Sequence, residues 1–388
     1  MLITNAEERS VLAACRSLHE GGYDVTAVSG TRLAASQWSR SCARRLRVTD
    51  AREDAQSFVE ELRQELTGRS YATLLAGSDR ALCALSRGRA RLCELTELGL
   101  PAASVVEQAL SRECLTGAAA IAGLVPATSI RCADLEQALA AARGLGFPVV
   151  LKSTEAVGAH DGVVRSVPKG QIVTSEADLA LRAPAFRDGL LVQCFMGDQI
   201  VSFGGVMAGG SLIGVAMSRY KRMWPPDGGS VTYSESMLAP AGLEAMVQRL
   251  LTAIGWEGIF ELELVQVGPE QFVPIDLNPR TYGSMALASA AGAPLATIWC
   301  DWLLGRSTSP ARARPGGRYR WEDGDLRHLA WQVRHRHFRA AMSPLRPHRG
   351  VVHSHFKLTD PLPLLVNGLH LARMYLGKLL KWGGRPAR

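Results

Sequence analysis

The sequence predicts an α/β protein, because short apolar runs alternate with helical stretches along most of its 388 residues. In the first 105 residues, segments 2–4, 23–28 and 72–76 are typical of short strands, and residues 8–21 carry apolar side chains at helical spacing. Strand–helix–strand repetition predicts a parallel sheet with right-handed crossovers. The first turn lacks Gly-x-Gly-x-x-Gly, so we expect a scaffold or substrate-side role here rather than nucleotide binding.

A second unit, rich in both helices and strands, is expected from about residue 106 to residue 310. Its clearest segments are a helix at 135–143, strands at 148–152, 190–195, 200–207 and 212–217, and a β-hairpin of 258–265 with 271–277. One of the two longest uncharged runs, residues 281–300, is diluted by Thr, Ser, Gly and Pro. This favours a helix packed inside the domain over a membrane span.

The positive charge of the chain is concentrated near its carboxyl end. The formal net charge is +8, but residues 311–388 hold 16 Lys and Arg against 4 Asp and Glu, a net charge of +12 for this stretch alone. The hydrophobic fraction of 47% and the charged fraction of 21% are those of an ordinary globular protein. The basic residues match no nucleic-acid-binding motif, so no nucleic-acid partner is expected.

Residues 361–382 have the pattern of an amphipathic helix with a basic face. Such a helix packs most often on its own domain, and docking on an anionic membrane or an acidic partner is the alternative. The pairs His335/His337 and His353/His355 would each share a face only on a strand. No Cys or carboxylate is evident beside them, so a metal site is not expected there.

The start of the chain and its cysteines predict a cytoplasmic protein. No basic stretch followed by an apolar core opens the sequence, so a secretory signal is not expected. The eight Cys are scattered without a Cys-x-x-Cys pair. This indicates reduced thiols rather than a disulfide framework or a zinc site.

Acidic residues alternate along the first strand of the predicted hairpin. Glu261 and Glu263 share one face of that strand, and Asp276 and Asn278 share one face of the second. If the two faces coincide, carboxylate and amide oxygens converge in a set that suits Mg²⁺ holding nucleotide phosphates. A solvated strand face is the alternative for these residues alone, and the neighbouring Arg280 favours the metal site.

Lys152 ends an apolar strand and precedes a loop that contains Ser153, Gly158 and Gly162. A lysine in that place suits a point charge against phosphate, and the backbone N–H groups of the loop could cover phosphates. An ordinary hairpin turn explains the loop equally well when it is taken by itself.

The strand at 190–195 runs into a polar turn. Gln193 and the backbone of this strand could face an adenine edge, with Asp198 or Gln199 near a ribose. A buried strand and turn without a ligand is the alternative.

A basic segment at 219–230 contains Arg219, Lys221 and Arg222 ahead of several Pro and Gly residues. Its composition predicts a turn-rich segment. The segment either holds an acidic substrate or a triphosphate near a cleft, or it forms a solvent-facing loop, and both interpretations stay open.

The segments FPVVLK, LLVQCFMGDQ, GWEGIFELELVQ and IDLNPRTYGS, in this order and spacing, resemble the motifs of the ATP-grasp superfamily. The resemblance covers roughly residues 105–310. It implies a Rossmann-like pre-ATP-grasp αβ domain at residues 1–105 and a two-lobed ATP-grasp domain at 106–310, with the nucleotide between the lobes. A basic C-terminal extension at 311–388 contains the amphipathic helix.

The resemblance also assigns roles to individual residues. It implies that Arg280 and Lys152 are catalytic. The ATP-binding residues that it implies are Arg112, Lys152, Ser153, Gly158, Gly162, Gln193, Cys194, Phe195 and Gln199. The implied metal ligands are Glu263, Asp276 and Asn278. Four of these positions depart from the family pattern: Arg112 replaces Lys, and Cys194, Gln199 and Asp276 replace Glu.

The resemblance implies an ATP-dependent ligase that activates a carboxylate as an acyl phosphate and couples it to an amine or, less often, a thiol. Implied cofactors are ATP and Mg²⁺, with Mn²⁺ as the alternative metal. The implied partners are small-molecule carboxylate and amine substrates and a second copy of the chain in a homodimer. The departures from the family pattern motivate a different hypothesis, a nucleotide-binding regulatory or scaffold protein with a degenerate ATP-grasp site.

Overall fold

The computed structural model describes residues 1–154, 158–160, 163–165, 170–186, 189–226, 228–345 and 348–383. The strands in these ranges are β1 (Leu2–Ile3), β2 (Thr26–Ser29), β3 (Arg44–Arg47), β4 (Thr73–Leu75), β5 (Glu97–Leu98), β6 (Ser129–Cys132), β7 (Val149–Ser153), β8 (Gly158–His160), β9 (Val163–Arg165), β10 (Gln171–Val173), β11 (Leu190–Cys194), β12 (Ile200–Ala208), β13 (Ser211–Trp224), β14 (Ser230–Met237), β15 (Gly258–Gln266), β16 (Phe272–Asn278), β17 (Ala311–Arg312), β18 (Arg318–Arg320) and β19 (Val351–His353).

The helices in the same ranges are α1 (Arg9–Glu20), α2 (Ala55–Gly68), α3 (Asp79–Arg87), α4 (Arg89–Leu92), α5 (Ala103–Leu110), α6 (Arg112–Ala122), α7 (Leu135–Leu145), α8 (Glu176–Arg182), α9 (Leu243–Ile254), α10 (Met285–Ala290), α11 (Leu295–Leu303), α12 (Glu322–Arg334), α13 (Phe338–Ala341) and α14 (Leu362–Gly383). Together the strands and helices form a mixed α/β protein with three main sheets.

The first sheet is parallel throughout, which confirms the arrangement that the sequence predicts. Its strand order is β3-β2-β1-β4-β5. This order is Rossmann-like, because β2 and β3 lie on one side of β1, and β4 and β5 lie on the other side. Helix α1 buries Val11, Leu12, Cys15 and Leu18, the residues that carry its helical spacing. The carboxyl ends of β1 and β4 therefore lie side by side at one edge of this sheet.

The second sheet is antiparallel and small, with the order β10-β7-β11-β6. Val149, Leu151 and Val192 of its central strands pack with Ala138 and Ala142 of α7 in one buried cluster. Strand β7 thus runs through the middle of the sheet, and its last residues are held at a defined place.

The third sheet has the order β16-β15-β12-β13-β14-β18-β19, and β17 pairs with β13. The predicted hairpin of β15 and β16 is confirmed and forms one edge. Phe203 and Phe260 stack at 6.3 Å between ring centroids, and they belong to the same buried cluster as Leu2 and Leu74 of the first sheet. This continuous apolar core fixes the first sheet against the third.

The basic segment at 219–230 is not the turn-rich segment that its composition predicts. Strand β13 continues to Trp224, β14 begins at Ser230, and the turn is confined to the residues between them. Arg222 is buried in β13, where its Nε and Nη2 donate to the two carboxylate oxygens of Asp325 at 2.7 and 2.6 Å. A guanidinium that is paired in this way is neither a solvent-facing side chain nor a free ligand for an acidic substrate.

Residues 281–300 form two helices, α10 and part of α11, so the prediction of a single packed helix is wrong in detail. The break contains Gly292, with a φ of +101°, and Pro294, both of which end helices readily. Leu295, Trp299 and Cys300 are buried, as a packed helix requires. Of the helices that the structure describes, none is long and apolar enough to cross a membrane.

The residues after 310 are joined closely to the rest of the chain. Strand β18 pairs with β14, and β19 pairs with β18, so they extend the third sheet. The Asp360 carboxylate accepts from Ser39 Oγ at 2.6 Å and Arg16 Nη2 at 3.0 Å. Helix α14 packs on the short turn Ala35–Trp38 of the first domain. The C-terminal helix therefore packs back on its own chain, which is the behaviour that the sequence favours over docking elsewhere.

One expectation about the histidine pairs is wrong, because the fold brings a carboxylate to His353 and His355. Glu322, at the start of α12, lies 3.5 Å from His353 Nδ1 and 3.6 Å from His355 Nδ1. Burial by itself would raise the pKa of Glu322, but the two nearby histidine rings and a hydrogen bond donated by Ser354 Oγ lower that pKa well below its usual range. Within the described ranges no group of three or more His, Cys, Asp or Glu side chains is arranged to hold a metal ion, and this cluster is a polar contact within the protein.

Candidate active site

A cavity of about 540 Å³ opens where residues of the three sheets meet. One end is mainly apolar and includes Val150, Ile172, Phe195, Met196, Ile200 and Val265. The middle is charged and includes Arg112, Lys152, Glu261, Glu263, Asp276 and Asn278. The far end lies against the first sheet and includes Asn5, Glu8, Arg9, Arg52, Asp79 and Arg80. The cavity can thus take an elongated ligand with an apolar end and a charged centre.

The hairpin of β15 and β16 supplies the acidic part of the middle section. Glu261 pairs with Asn278 across the hairpin, and Glu263 pairs with Asp276. Cross-strand pairs project to the same side of a sheet. The two faces therefore coincide, as the sequence analysis required for a metal site.

The carboxylates of this cluster are crowded, with Glu261 buried and Glu263 and Asp276 half-buried. Burial, together with the negative charges of Glu261 and Asp276, raises the pKa of Glu263 to about 8. Burial also raises the pKa of Glu261. The phenol of Tyr220 donates to Glu263 Oε1 at 2.9 Å and to Glu261 Oε1 at 3.2 Å. Neutral donors such as this phenol balance only part of the negative charge of the carboxylates.

This donor set fits a divalent cation. Glu263 and Asp276 offer carboxylate oxygens, Asn278 offers an amide oxygen, and such hard donors are those that Mg²⁺ prefers. No group of three His, Cys, Asp or Glu in the described part of the chain is preformed to hold a metal, so phosphate oxygens and water would have to complete the coordination. Mg²⁺ is commonly held through one or two carboxylates and substrate phosphates.

Glu261 has a different role from its neighbours. Its Oε1 accepts from Ser202 Oγ at 2.6 Å and from Tyr220, and its Oε2 accepts from Asn278 Nδ2 at 3.1 Å. These donors occupy both carboxylate oxygens of Glu261. Glu261 therefore orients the amide of Asn278 and is not free to bind a cation. The sequence analysis placed Glu261 on this face but did not assign it this role.

Lys152 lies at the end of β7 with its ammonium in the cavity wall. Its Nζ donates to the carbonyl of Ile275 at 2.7 Å, next to Asp276. Burial lowers the pKa of Lys152 to about 8, although the charge of Asp276 opposes that shift. An anionic ligand would therefore be a stronger partner for this ammonium than the carbonyl of Ile275.

Arg112, at the start of α6, bridges the second sheet and the hairpin. Its Nη1 donates to the carbonyl of Ser153 at 2.9 Å, and its Nη2 lies 3.2 Å from Asp276 Oδ1. Among the described residues, its buried Nε has no hydrogen-bond partner. Arg112 and Lys152 therefore approach the carboxylate cluster from the same side, where phosphates of a nucleotide would lie between cations and metal ligands.

Of the other residues that were predicted to bind the nucleotide, some line the cavity and one does not. Gln193, Cys194 and Phe195 line the apolar end of the cavity, and Gln193 is buried. Gln199 is exposed, and its amide donates to Asp198 at 3.3 Å. The structure does not bring Gln199 into the cavity wall, so its contact with a ribose stays a prediction.

The predicted flap is described in part. Ser153 is buried at the end of β7, and Gly158 begins β8, where it pairs with Arg165 of β9. Gly162 lies outside the described residues. The phosphate contacts assigned to this loop remain predictions.

The turn between β13 and β14 lines the cavity through Gly228, Gly229 and Ser230. A Cβ atom at Gly229 would lie 1.9 Å from the carbonyl carbon of Trp224, and one at Gly228 would lie 2.9 Å from the carbonyl oxygen of Gly170. Only glycine fits such approaches. The sequence analysis placed these glycines in the basic segment at 219–230, but their place in the cavity wall depends on the strands around them.

Arg280 lies two residues beyond β16 and is held by the first domain. Its Nε and Nη2 donate to the two carboxylate oxygens of Asp79 at 2.7 Å each, and its Nη2 also donates to Asn278 Oδ1 at 3.0 Å. Arg280 is therefore in the cavity, as predicted, but its guanidinium already has a carboxylate partner.

The residues at the far end of the cavity were not predicted as site residues. Asn5 and Glu8 follow β1, and Ser78, Asp79 and Arg80 follow β4. These are the carboxyl ends of the two strands between which the strand order reverses, the usual location of ligands in open α/β sheets. The sequence does show polar residues directly after these two predicted strands. It does not show the order of the strands, which is what brings the two strand ends together.

Comparisons with known proteins show what this chain is similar to. No protein-family model matches the chain. The large chain of carbamoyl phosphate synthase from Thermotoga neapolitana is 25% identical over 217 residues, which are 50% of this chain and 19% of that protein. The chain therefore spans about a fifth of the length of this curated relative.

Solved structures match over most of the chain. N5-carboxyaminoimidazole synthetase from Staphylococcus aureus, complexed with ADP, is 13% identical with a TM-score of 0.61, covering 82% of this chain and 80% of that chain. L-amino acid ligase from Bacillus licheniformis is 12% identical with a TM-score of 0.61, covering 78% and 73%.

A third similar structure is the biotin carboxylase domain dimer of 2-oxoglutarate carboxylase from Hydrogenobacter thermophilus, in complex with MgADP, ADP and bicarbonate. It is 15% identical with a TM-score of 0.62, covering 82% of this chain and 73% of that chain. These structures have the ATP-grasp fold, and so does this chain, with its Rossmann-like first domain. The fold implied by the motif resemblance is confirmed.

Proposed function

We propose that the protein is an ATP-dependent ligase that activates a carboxylate as an acyl phosphate and couples it to an amine. The observation that carries this proposal is the opposition of Arg112 and Lys152 to the Glu263–Asp276–Asn278 cluster in the middle of one cavity. Cations facing hard metal ligands are the arrangement that positions a nucleotide triphosphate for phosphoryl transfer. ADP and phosphate are the expected products.

The chemistry of the lining supports one direction for the nucleotide in the cavity. The apolar end, with Gln193, Cys194 and Phe195, suits the adenine, and Lys152 with Arg112 suits the phosphates. Glu263, Asp276 and Asn278 would hold Mg²⁺, with Mn²⁺ as the alternative, and the metal would neutralise charge on the phosphates. Several similar structures are described with ADP or MgADP bound, which supports ATP as the nucleotide.

Binding of the phosphates would change the partners of both cations. Lys152 now donates to a backbone carbonyl and Arg112 contacts Asp276, and each would gain a doubly or triply charged partner. The guanidinium of Arg112 can form two parallel hydrogen bonds to phosphate oxygens, which the ammonium usual at this position cannot do. Release of Asp276 from Arg112 would leave that carboxylate free for the metal.

Lys152 and Arg280 are the proposed catalytic residues. Phosphoryl transfer needs little covalent chemistry from the protein, and its rate depends on placing charge where it develops. Lys152 would balance charge on the transferred phosphoryl group. Arg280, held beside Asn278, would stabilise the acyl phosphate as it forms on the side of the cavity that faces the first domain.

The test is a screen of ADP release over pairs of small carboxylic acids and amines at fixed Mg²⁺. We expect turnover to need both an acid and an amine, and to disappear in the double variant Asp276→Ala/Asn278→Ala. ADP release that continues unchanged in that double variant would contradict the metal assignment.

The alternative function is a nucleotide-binding regulatory or scaffold protein with a degenerate site. The contact of Arg112 with Asp276 favours it to some extent, because it occupies a metal ligand with a protein cation. This alternative predicts that calorimetry detects Mg-ATP binding while no pair of substrates releases ADP. The screen above therefore separates the two functions.

Location and assembly complete the proposal. The cytoplasmic location expected from the sequence remains part of it. A homodimer is also proposed, and the similar biotin carboxylase domain is described as a dimer. Sedimentation of the purified protein at several concentrations would measure the assembly state.

A further inference from the structure

The end of the cavity against the first domain is built almost entirely from polar and charged side chains. Asn5, Glu8, Arg52, Asp79 and Arg80 all line it. The nucleotide as placed above leaves this end open, since its phosphates reach the middle section. A second ligand of the proposed reaction must therefore meet these residues.

Most of the charges at this end already have partners in the protein. Arg52 is paired with Asp50 at 2.5 Å and lies 3.7 Å from Glu7. Asp79 is paired with Arg280. These side chains shape the wall, but they have less capacity to hold a charged ligand.

Arg80 is different. Among the described residues, no side chain or carbonyl forms a hydrogen bond or ion pair with its guanidinium, although the side chain is half-buried. Burial and the positive charge of Arg52 lower the pKa of Arg80, and the negative charges of Asp50, Asp79 and Glu8 oppose that shift without pairing with the guanidinium. An unpaired guanidinium in a partly buried wall is costly without an anion, and carboxylates are its best-matched planar partners.

Glu8 is the second open charge. No partner for its side-chain carboxylate is found in the part of the chain that the structure describes, and it lines the same end of the cavity. Its charge acts on Arg52, Arg80 and Arg280, so it lies in the same electrostatic neighbourhood as Arg80. The wall therefore presents one open cation and one open anion.

We infer that this end of the cavity binds a small amino acid, with its carboxylate on Arg80 and its ammonium near Glu8. The inference rests on the proposed ligase function, in which it assigns the amino acid as the amine substrate. A ligand with one charge of each sign satisfies both open groups, whereas a simple acid or a simple amine satisfies one. Asn5 and Ser78 can add neutral hydrogen bonds beside them.

The chemistry balances in two proton transfers. Glu8 accepts one proton from the ammonium, which leaves a neutral amine with a free electron pair. The amine nitrogen then bonds to the acyl carbon, and the bond from that carbon to the phosphate oxygen breaks. The nitrogen keeps one of its two protons in the amide, and the other passes to the departing phosphate. The products are the amide and inorganic phosphate.

Direct binding tests the inference without relying on turnover. Calorimetry would be run with Mg²⁺ and a non-hydrolysable ATP analogue, against the proteinogenic amino acids. For each one that binds, the matched acid without the amino group and the matched amine without the carboxylate are measured too, such as propionate and ethylamine for alanine. We expect at least one amino acid to bind about tenfold or more tightly than both of its counterparts. Binding by none of them, or equal binding by a counterpart, overturns the inference.

Variants then locate the site. Arg80→Gln and Glu8→Gln are each expected to weaken amino-acid binding about tenfold or more, and Arg80→Lys should restore part of the loss. Arg87→Gln is the matched control, since Arg87 is exposed at the other end of α3, and it should bind like the original protein. An unchanged affinity in Arg80→Gln contradicts the assignment, and melting temperatures show whether each variant is folded.

The two proposals fail separately. If amino acids bind through Arg80 but no pair of substrates releases ADP, the ligase function fails and the ligand class stands. If ADP release occurs with an amine that lacks a carboxylate and does not depend on Arg80, the ligase function stands and the amino-acid inference fails.

Discussion

Arg280 and Asp79 join the ATP-grasp part of the chain to its first domain through two hydrogen bonds of 2.7 Å. The paired side chains are about one fifth exposed, at 19% and 21%. The Arg280 guanidinium therefore reaches the cavity only in the orientation that Asp79 allows. This pair places a residue of the first domain beside the proposed centre of catalysis.

Replacing Asp79 by Ala tests this relationship. Removal of one partner leaves a partly buried charge uncompensated, so we expect the free energy of unfolding to fall by about 3 kcal/mol. Urea unfolding measures that change. In the double variant Asp79→Ala/Arg280→Ala the two losses should not add, because the second change removes the orphaned charge. Additive losses would mean that the two side chains do not stabilise each other.

The carboxylate cluster predicts a metal requirement. Glu263→Gln replaces a charged carboxylate ligand opposite Asp276 by a neutral amide, and we expect ADP release to fall about 100-fold with a higher Mg²⁺ requirement. Steady-state rates over a Mg²⁺ titration measure both. Glu270→Gln, in the exposed turn of the same hairpin, is the matched control and should leave both values unchanged. A normal Mg²⁺ dependence in Glu263→Gln would falsify the ligand assignment.

Lys152 predicts a pH-dependent proton uptake. Burial lowers its pKa to about 8, so at pH 8.5 part of the population is neutral in the free protein. Phosphate binding favours the ammonium and raises that pKa again, so ATP added without Mg²⁺ should bind with uptake of a fraction of a proton. Calorimetry in buffers with different ionisation enthalpies measures the uptake, which should shrink well below pH 8.

Two variants complete this measurement. Lys152→Met should abolish the uptake, whereas Lys221→Met, a partly exposed lysine on β13, should retain it. Persistence of the uptake in Lys152→Met would assign the proton to another group. Mg²⁺ is left out because its binding would expel the proton from Glu263, whose pKa is also about 8.

The Glu322 cluster predicts an acid-sensitive attachment of the C-terminal residues. The neighbouring rings of His353 and His355 and the hydrogen bond from Ser354 Oγ outweigh burial and lower the pKa of Glu322. A lowered carboxyl pKa contributes stability that is present above the unfolded value and is lost as the pH falls toward the folded value. Glu322→Gln should therefore lower the free energy of unfolding by about 2–3 kcal/mol at neutral pH.

Thermal melting from pH 7 down to pH 3 checks this expectation. The difference between Glu322→Gln and the original protein should shrink below about pH 4.5, where an unfolded glutamate becomes protonated. Glu53→Gln, an exposed residue of the first domain, should melt like the original protein throughout. A difference that is independent of pH would point to lost packing instead.

The glycine turn predicts a steric limit beside the nucleotide. A Cβ atom at Gly229 would lie 1.9 Å from the backbone of Trp224, so Gly229→Ala must displace the turn between β13 and β14. We expect a loss of about 1–3 kcal/mol in the free energy of unfolding and weaker ATP binding. Gly117→Ala, in α6 with open space around it, should be neutral or slightly stabilising. Equal ATP affinity in both variants would remove the turn from the nucleotide site.

The local parts of the site could be predicted from the sequence. Alternation along a strand placed Glu261 with Glu263 and Asp276 with Asn278, and the hairpin register confirmed that the two faces meet. Lys152 could be placed at a strand end because the apolar run before it is short and continuous. These inferences needed only neighbours in the chain.

Other parts of the site could not be predicted, because they depend on which strands become neighbours. Tyr220 reaches Glu263 across the intervening strand β12. Arg222 looks like part of a basic loop in the sequence, yet it is buried against Asp325, more than a hundred residues later. Residues after 310, whose net charge is +12, complete the third sheet.

The sequence by itself determined the fold class, the hairpin and the cation at the end of β7, because periodicity and turn residues act over short distances. Tertiary structure alone decided that Arg280 is held by Asp79, that Glu261 orients Asn278, and that Glu8 and Arg80 face the same cavity. The physical reason is that the order of strands follows from burying apolar faces across the whole chain. Charges from distant segments come together only when that order is set.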